Sequence, residues 1–136
     1  MAALTQERDT KRRTGDLLSL PVAAGVRIFA GSLVARDADG NAVPGRAAAN
    51  LLGAGRAADS YDNSAGAAGA ISAEIQKGIF AFANSAAADA ITRADIGTDC
   101  FIVDDQTVAK TNGGSARSVA GKVFDVDHDG VWVDLR

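Results

Sequence analysis

Residues 119–135, VAGKVFDVDHDGVWVDL, contain two β segments joined by a short polar turn. In the second segment, apolar residues alternate with Trp132 and Asp134, so successive side chains point to opposite faces of a strand. Asp127-His128-Asp129-Gly130, between the segments, has the composition of a tight turn. The stretch predicts a C-terminal hairpin whose strands are Val119–Val126 and Val131–Leu135, with Val131, Val133 and Leu135 on one face.

The same short-strand pattern extends back to Leu17. Asp37–Asn41 and Pro44-Gly45 are typical turn sequences, and in Ile79–Phe82 the two phenylalanines share one face. With the hairpin, the pattern gives about nine short strands, which predicts a mainly β fold, a small β-barrel or sandwich. The remaining predicted strands are Leu17–Ala23, Val26–Ala35, Leu51–Ala57, Ile71–Ile75, Gly78–Ala83, Cys100–Val103 and Gln106–Ala109.

Two segments inside this β pattern differ from it. Ser85–Ile96 predicts one short helix, because Ser85 can cap it, three consecutive alanines favour it and Gly97 ends it. Residues 58–70, ADSYDNSAGAAGA, are small and polar without a period, which predicts a flexible surface loop.

Residues 1–16 form a separate N-terminal arm, followed by a β domain over residues 17–136. The arm carries four basic and three acidic residues, and Leu4 is its only large apolar residue after Met1. A helix here would have no apolar face to dock, so we expect a mobile or extended arm.

The composition limits the classes of partner. Of the 136 residues 47% are hydrophobic, but 29 of these are alanines, so the core is thin and association between copies would bury surface that one copy cannot. The net charge of −3 gives no reason to expect nucleic acid or a membrane as partner. No apolar run approaches the roughly 18 residues that span a bilayer, and no secretory leader is evident. A single cysteine is typical of a protein made in a reducing cytoplasm.

The motifs that could carry chemistry have plainer interpretations. Asp125–Gly130 begins like a calcium-binding loop, but its twelfth position is Arg136, so a polar hairpin turn is the better interpretation. Gly113–Lys122 lacks the spacing of a phosphate-binding loop and predicts a glycine-rich turn.

No nucleophile is paired with a base in the sequence. His128 is expected to be exposed and Cys100 to be an inert core residue. Asp104-Asp105 are expected to open a turn. We therefore predict no catalytic, cofactor-binding or metal site and a protein that is not an enzyme. A small β-barrel protease of the capsid-maturation type would need a Ser, His and Asp arrangement that we do not find.

The basic residues of the arm remain without an assigned role. A solvated tail is one interpretation, and a docking arm whose arginines bind carboxylates of a partner is the other. Two observations argue against nucleic acid as the partner of the arm: the acidic residues Glu7 and Asp9 lie among the basic ones, and no aromatic residue is present for base stacking. The candidate docking residues are Leu4, Arg8, Lys11, Arg12 and Arg13.

Several stretches resemble the small capsid decoration (cement, head-stabilising) proteins of tailed bacteriophages, of the Mu-like and siphophage type. They cover most of residues 17–135, and they are structural signatures rather than catalytic ones. They are Pro21–Val26, Gly31–Val34, Asp39–Gly45, Gly53–Ala57, Lys77–Phe80, Ile91–Val108 and Ser118–Val123.

The resemblance implies a β-barrel or β-tulip fold similar to that of the lambda head-decoration protein. It also implies homotrimers on the outer surface of the virion, at three-fold and quasi-three-fold positions of the capsid. In such families an N-terminal arm often extends along the major capsid protein. Residues 1–16 match that role in position and character and not by a sequence motif. A phage tail, baseplate or fibre component is the alternative, although such a domain would usually show repeats or binding aromatics.

Overall fold

The computed structural model describes residues 2–136, which form twelve β-strands and two 3-10 turns. The mainly β prediction is confirmed. Within residues 2–136, no helix is long and apolar enough to span a bilayer. The strands are β1 (Leu17–Pro21), β2 (Arg27–Ile28), β3 (Leu33–Arg36), β4 (Ala42–Pro44), β5 (Leu52–Ala57), β6 (Tyr61–Asp62), β7 (Ser72–Gln76), β8 (Ile79–Asn84), β9 (Asp99–Ile102), β10 (Thr107–Ala109), β11 (Val119–Asp127) and β12 (Gly130–Asp134).

The C-terminal half closes into a five-stranded barrel with the order β10-β8-β12-β11-β9. All neighbours are antiparallel except β10 and β8, whose parallel pairing completes the ring. The predicted hairpin is confirmed, with Asp127 opposite Gly130. The three residues predicted to share a face are all buried in the barrel core, as is Phe82, while Phe80 packs against it.

The N-terminal half forms a five-stranded antiparallel sheet with the order β1-β7-β5-β3-β4. A two-stranded ribbon of β2 and β6 packs on one face of this sheet, because Ile28 and Tyr61 join the same apolar cluster as Val34 and Ile75. The other face of the sheet contacts the barrel.

Strand β3 is the wall between the two apolar clusters. Leu33 and Ala35 belong to the cluster inside the barrel, whereas Val34 belongs to the cluster under the ribbon. All three are completely buried. Since successive side chains of a strand point to opposite faces, a strand buried on both sides needs a continuous apolar run.

The sheet and the barrel approach closely where β5 crosses β11. A Cβ atom added at Gly53 would lie 1.9 Å from the carbonyl oxygen of Ala120, far inside van der Waals contact. The obstructing atoms belong to the backbone and cannot rotate away. Glycine at position 53 is therefore a requirement of the packing between the two halves.

The predicted helix over Ser85–Ile96 is wrong. The segment contains only two separate 3-10 turns, Ala87–Asp89 and Arg93–Asp95. Asn84 holds the segment in a loop, because its side chain accepts a hydrogen bond from the amide of Ile91 (2.9 Å) and donates one to the carbonyl of Ile91 (2.8 Å). A short alanine-rich helix with little apolar surface cannot compete with such contacts.

Three further predictions need correction. The strand predicted over Val26–Ala35 is interrupted between β2 and β3. Strand β4 occupies the place where we predicted only a turn at Pro44-Gly45. The loop predicted over residues 58–70 contains β6 and the buried Asn63, whose side-chain amide donates to the carbonyls of Val22, Ala23 and Ala67. The order of this loop depends on the hydrogen bonds of one buried amide side chain, and hydrophobic periodicity in the sequence does not report such bonds.

Replacing Gly53 with alanine should destabilise the fold by about 1–3 kcal/mol, because the added methyl group forces β5 away from β11. Urea unfolding measures the change. Gly15→Ala is the matched control, since a Cβ at Gly15 meets open space and the free energy of unfolding should hardly change. Equal stability of the two variants would contradict this description of the contact.

Candidate interaction surface

The N-terminal arm is exposed throughout. Residues 2–16 belong to no strand, and every one of them is solvent-exposed. Within residues 2–136, the side chains of Arg8, Lys11, Arg12 and Arg13 form no ion pair. Leu4 is 72% exposed. The arm therefore offers cationic groups and one apolar side chain that no part of the described fold uses.

The arm leads directly into β1, which is an edge strand of the sheet. The amide of Lys77 donates to the carbonyl of Asp16 (2.8 Å), and the amide of Val22 donates to the carbonyl of Ile71 (3.0 Å). In this antiparallel register the even-numbered residues of β1 bond to β7, so the backbone groups of Leu17 and Ser19 point outward. Among residues 2–136, nothing pairs with this outer side. An uncovered edge of this kind can accept a further strand.

A second exposed feature lies on the outside of the barrel, where Ile79, Phe124 and Trp132 line one shallow groove together with Asp125 and Asp127. We call this surface the aromatic groove. The ring of Phe124 is 53% exposed. A β-bulge explains its position, because Val123 pairs with Val133 and Asp125 with Trp132, which leaves Phe124 as an extra residue.

Trp132 is held in place by a hydrogen bond from its indole nitrogen to the carboxylate of Asp127, 2.9 Å long. The same carboxylate accepts the amide of Asp129. These two donors, first the indole and then the amide, hold the pKa of Asp127 below its ordinary value of 3.8. The indole is thus a fixed wall of the aromatic groove and not a free side chain.

The fluorescence of Trp132, the chain's single tryptophan, should report the protonation of Asp127. A carboxyl group whose pKa is lowered in the folded protein stays charged while the pH falls past the ordinary aspartate pKa. Asp127 should therefore keep its contact with the indole there, and should lose its charge and the contact only at a lower pH. A pH titration should therefore give a fluorescence midpoint below 3.8.

Asp127→Asn should abolish that transition, and far-UV circular dichroism over the same range checks that the fold persists. A midpoint at or above the ordinary aspartate pKa in the wild type would contradict the contact.

The acidic turn at the hairpin tip brings together possible metal ligands. Ligand atoms of Asp127, His128 and Asp129 lie within 4.8 Å of one another, and all three residues are exposed. Both carboxylate oxygens of Asp127 already accept hydrogen bonds from the protein, and Asp125 accepts the amide of Val126. The two contacts to backbone amides are the ones that the hairpin-turn interpretation predicts, and the indole contact is an addition that it did not include.

The other polar motifs also behave as predicted. The carboxylate of Asp104 accepts the amide of Gln106, which opens a turn. Gly113 and Gly114 both adopt positive φ in a turn before β11. The side chain of His128 is 90% exposed.

Cys100 lies in the barrel core, completely buried, as predicted. Its sulfur contacts the carbonyl oxygen of Gly121 at 3.4 Å. Burial raises the pKa of this thiol to about 11, so it stays protonated at neutral pH. A protonated and inaccessible thiol is neither a nucleophile nor a metal ligand.

A thiol reagent at pH 8 should label Cys100 at least about a hundredfold more slowly in the folded protein than in urea, because the thiolate is the reactive form. Ellman's reagent measures both rates. A native rate close to the unfolded rate would mean that the barrel opens readily at β9.

Sequence reasoning did not identify the aromatic groove. The adjacent apolar residues Val123 and Phe124 were the sign of it in the sequence. Neighbouring residues of a regular strand point to opposite faces, so only one of the two can face the core. The pairing that brings Ile79 beside this site joins β8 to β12, two strands that are distant in the chain, and the sequence has no local sign of it.

Compared with known proteins, the chain matches no family model, no curated protein and no solved structure.

Proposed function

We propose that this chain is a structural virion protein, a decoration protein that binds the outer surface of a phage capsid as homotrimers and stabilises the head. The observation that carries the proposal is the exposed basic arm that leads into β1, the uncovered edge strand of the five-stranded sheet. The stretches within residues 17–135 that resemble capsid decoration proteins support the same function.

The arm is suited to bind a neighbouring protein chain. Its fifteen described residues could span at most about 50 Å when extended, which is enough to cross a subunit boundary. Arginine side chains form charge-assisted hydrogen bonds with carboxylates, and Leu4 could enter an apolar pocket of the major capsid protein. An unpaired arm and an open edge can both exchange backbone hydrogen bonds with a partner sheet.

The thin core is consistent with a protein that works in an assembly. Completely buried alanines line both apolar clusters, Ala35 in the barrel and Ala42 and Ala73 under the ribbon. Small side chains bury little area but allow backbones to approach closely. Contacts between three copies would add the burial that a single copy lacks.

The stabilising effect on a capsid follows from linkage. A protein that binds the assembled lattice and not free subunits shifts the equilibrium toward the lattice. A trimer attached at several points also gains from a high effective concentration, so weak individual contacts can sum to tight binding. Neither effect requires a reactive side chain.

Deleting residues 2–14 should leave a folded domain that binds undecorated expanded heads at least about tenfold more weakly, which corresponds to roughly 1.4 kcal/mol. Asp16 is retained in this variant because its carbonyl accepts the amide of Lys77. Co-sedimentation with heads of the phage that encodes the chain measures the affinity.

A matched pair of double variants distinguishes an effect of the arm on binding from an effect of the net charge of the protein. Arg12→Ala with Arg13→Ala should weaken binding, whereas Arg36→Ala with Arg46→Ala changes the net charge equally at exposed positions of the domain and should not. Equal binding by the truncated and intact proteins would refute the docking role of the arm. Immunolabelling of virions at the tail instead of the shell would favour the tail or fibre alternative.

A further inference from the structure

We infer that the aromatic groove is a second capsid-docking site, which binds a segment of the major capsid protein carrying an arginine or lysine next to an apolar residue. The inference rests on the proposed function and names the surface of the domain that acts together with the arm.

The groove has the composition of a protein-binding anchor. Phe124 and Trp132 offer two aromatic rings and Ile79 an aliphatic side chain on neighbouring strands. Aromatic side chains dominate the binding energy of interfaces because they bury large areas with few rotatable bonds. The hydrogen bond from Trp132 to Asp127 restricts one ring before any partner arrives, which lowers the entropy cost of binding.

The charge of the groove selects the occupant. Within residues 2–136, neither Asp125 nor Asp127 forms an ion pair, and both line the groove. Arg93 acts on Asp127 only through space and forms no ion pair with it. A guanidinium or ammonium group of a partner could lie over the aromatic faces while it approaches the carboxylates.

The position of the groove links it to the arm. The carbonyl of Asp16, at the root of the arm, accepts the amide of Lys77, and Ile79 follows two residues later, at most about 7 Å further along the backbone. The arm therefore leaves the domain close to one end of the groove. A capsid subunit that binds the arm is within reach of the groove without a large rearrangement.

The test uses the full chain and undecorated expanded heads. Phe124→Ser should weaken binding by about tenfold, while Phe29→Ser should change it less than about twofold, by analogy with other interface and non-interface residues. The two rings are matched, since they are 53% and 54% exposed, and Phe29 lies outside the groove. Equal affinities of these two variants would overturn the inference while leaving the proposed function intact.

A charge measurement provides a second readout. Asp125→Asn should reduce the salt dependence of binding, because one attraction between charges is lost. An unchanged salt dependence would count against a cationic occupant. Failure of the wild-type protein to bind heads at all would instead refute the proposed function, and the groove inference with it.

Two other occupants give distinguishable results. If the groove joined copies of this chain, Phe124→Ser would dissociate the trimer in sedimentation equilibrium. If the chain's own arm covered the groove, deleting residues 2–14 would increase acrylamide quenching of Trp132. We expect neither change, and either one would overturn the inference.

Discussion

The burial of strand β3 on both faces is the constraint on which the rest of the structure depends. Leu33 and Ala35 complete the core of the barrel, while Val34 completes the core under the β2–β6 ribbon. Four of the eight buried residues in the cluster under the ribbon are alanines, so that cluster is small by itself. The two clusters share strand β3, so a displacement of this strand alters the packing of both. Gly53 provides another contact between the two halves, because it allows β5 to lie close to β11. A substitution in β3 or at Gly53 would therefore affect the packing of both the sheet and the barrel.

The outer surface is organised by the junction between the sheet and the barrel. Lys77 and Gly78 connect β7 to β8. The amide of Lys77 donates to the carbonyl of Asp16 at the arm root, and the carbonyl of Gly78 accepts the amide of Leu135, which directly follows β12. The side chain of Lys77 also donates to the carbonyl of Ala54 in β5. The same junction therefore positions the arm, the open edge of β1 and one end of the aromatic groove. The arm, the edge of β1 and the aromatic groove, which could each bind a partner, thus lie next to the same junction.

The side chains that could carry chemistry differ in their surroundings. The buried thiol of Cys100 is kept protonated by its surroundings, and the exposed His128 lies at a hairpin tip. The acidic turn uses its carboxylates to fix its own backbone and the indole of Trp132. Among the candidates for catalysis or metal binding in residues 2–136, Cys100 is packed in the core and the carboxylate of Asp127 bonds to the protein, whereas His128 is exposed. The arginines of the arm form no ion pair within residues 2–136 and Phe124 is exposed on the barrel surface, so both are suited to contacts with another chain.

The sequence by itself determined the mainly β class, the C-terminal hairpin with its inward valines, the turns at Asp37, Asp104 and Asp127, and the separate character of residues 1–16. These features depend on alternation, turn chemistry and charge, which act between residues that are near in the chain. Only the tertiary structure decided that Ser85–Ile96 is not a helix, that Asn63 orders its loop, and that β8 and β10 close a barrel. It also decided that Phe124, Trp132 and Ile79 share one groove. The physical reason is that these outcomes depend on backbone contacts between distant strands, where hydrogen bonding and close packing override local propensity.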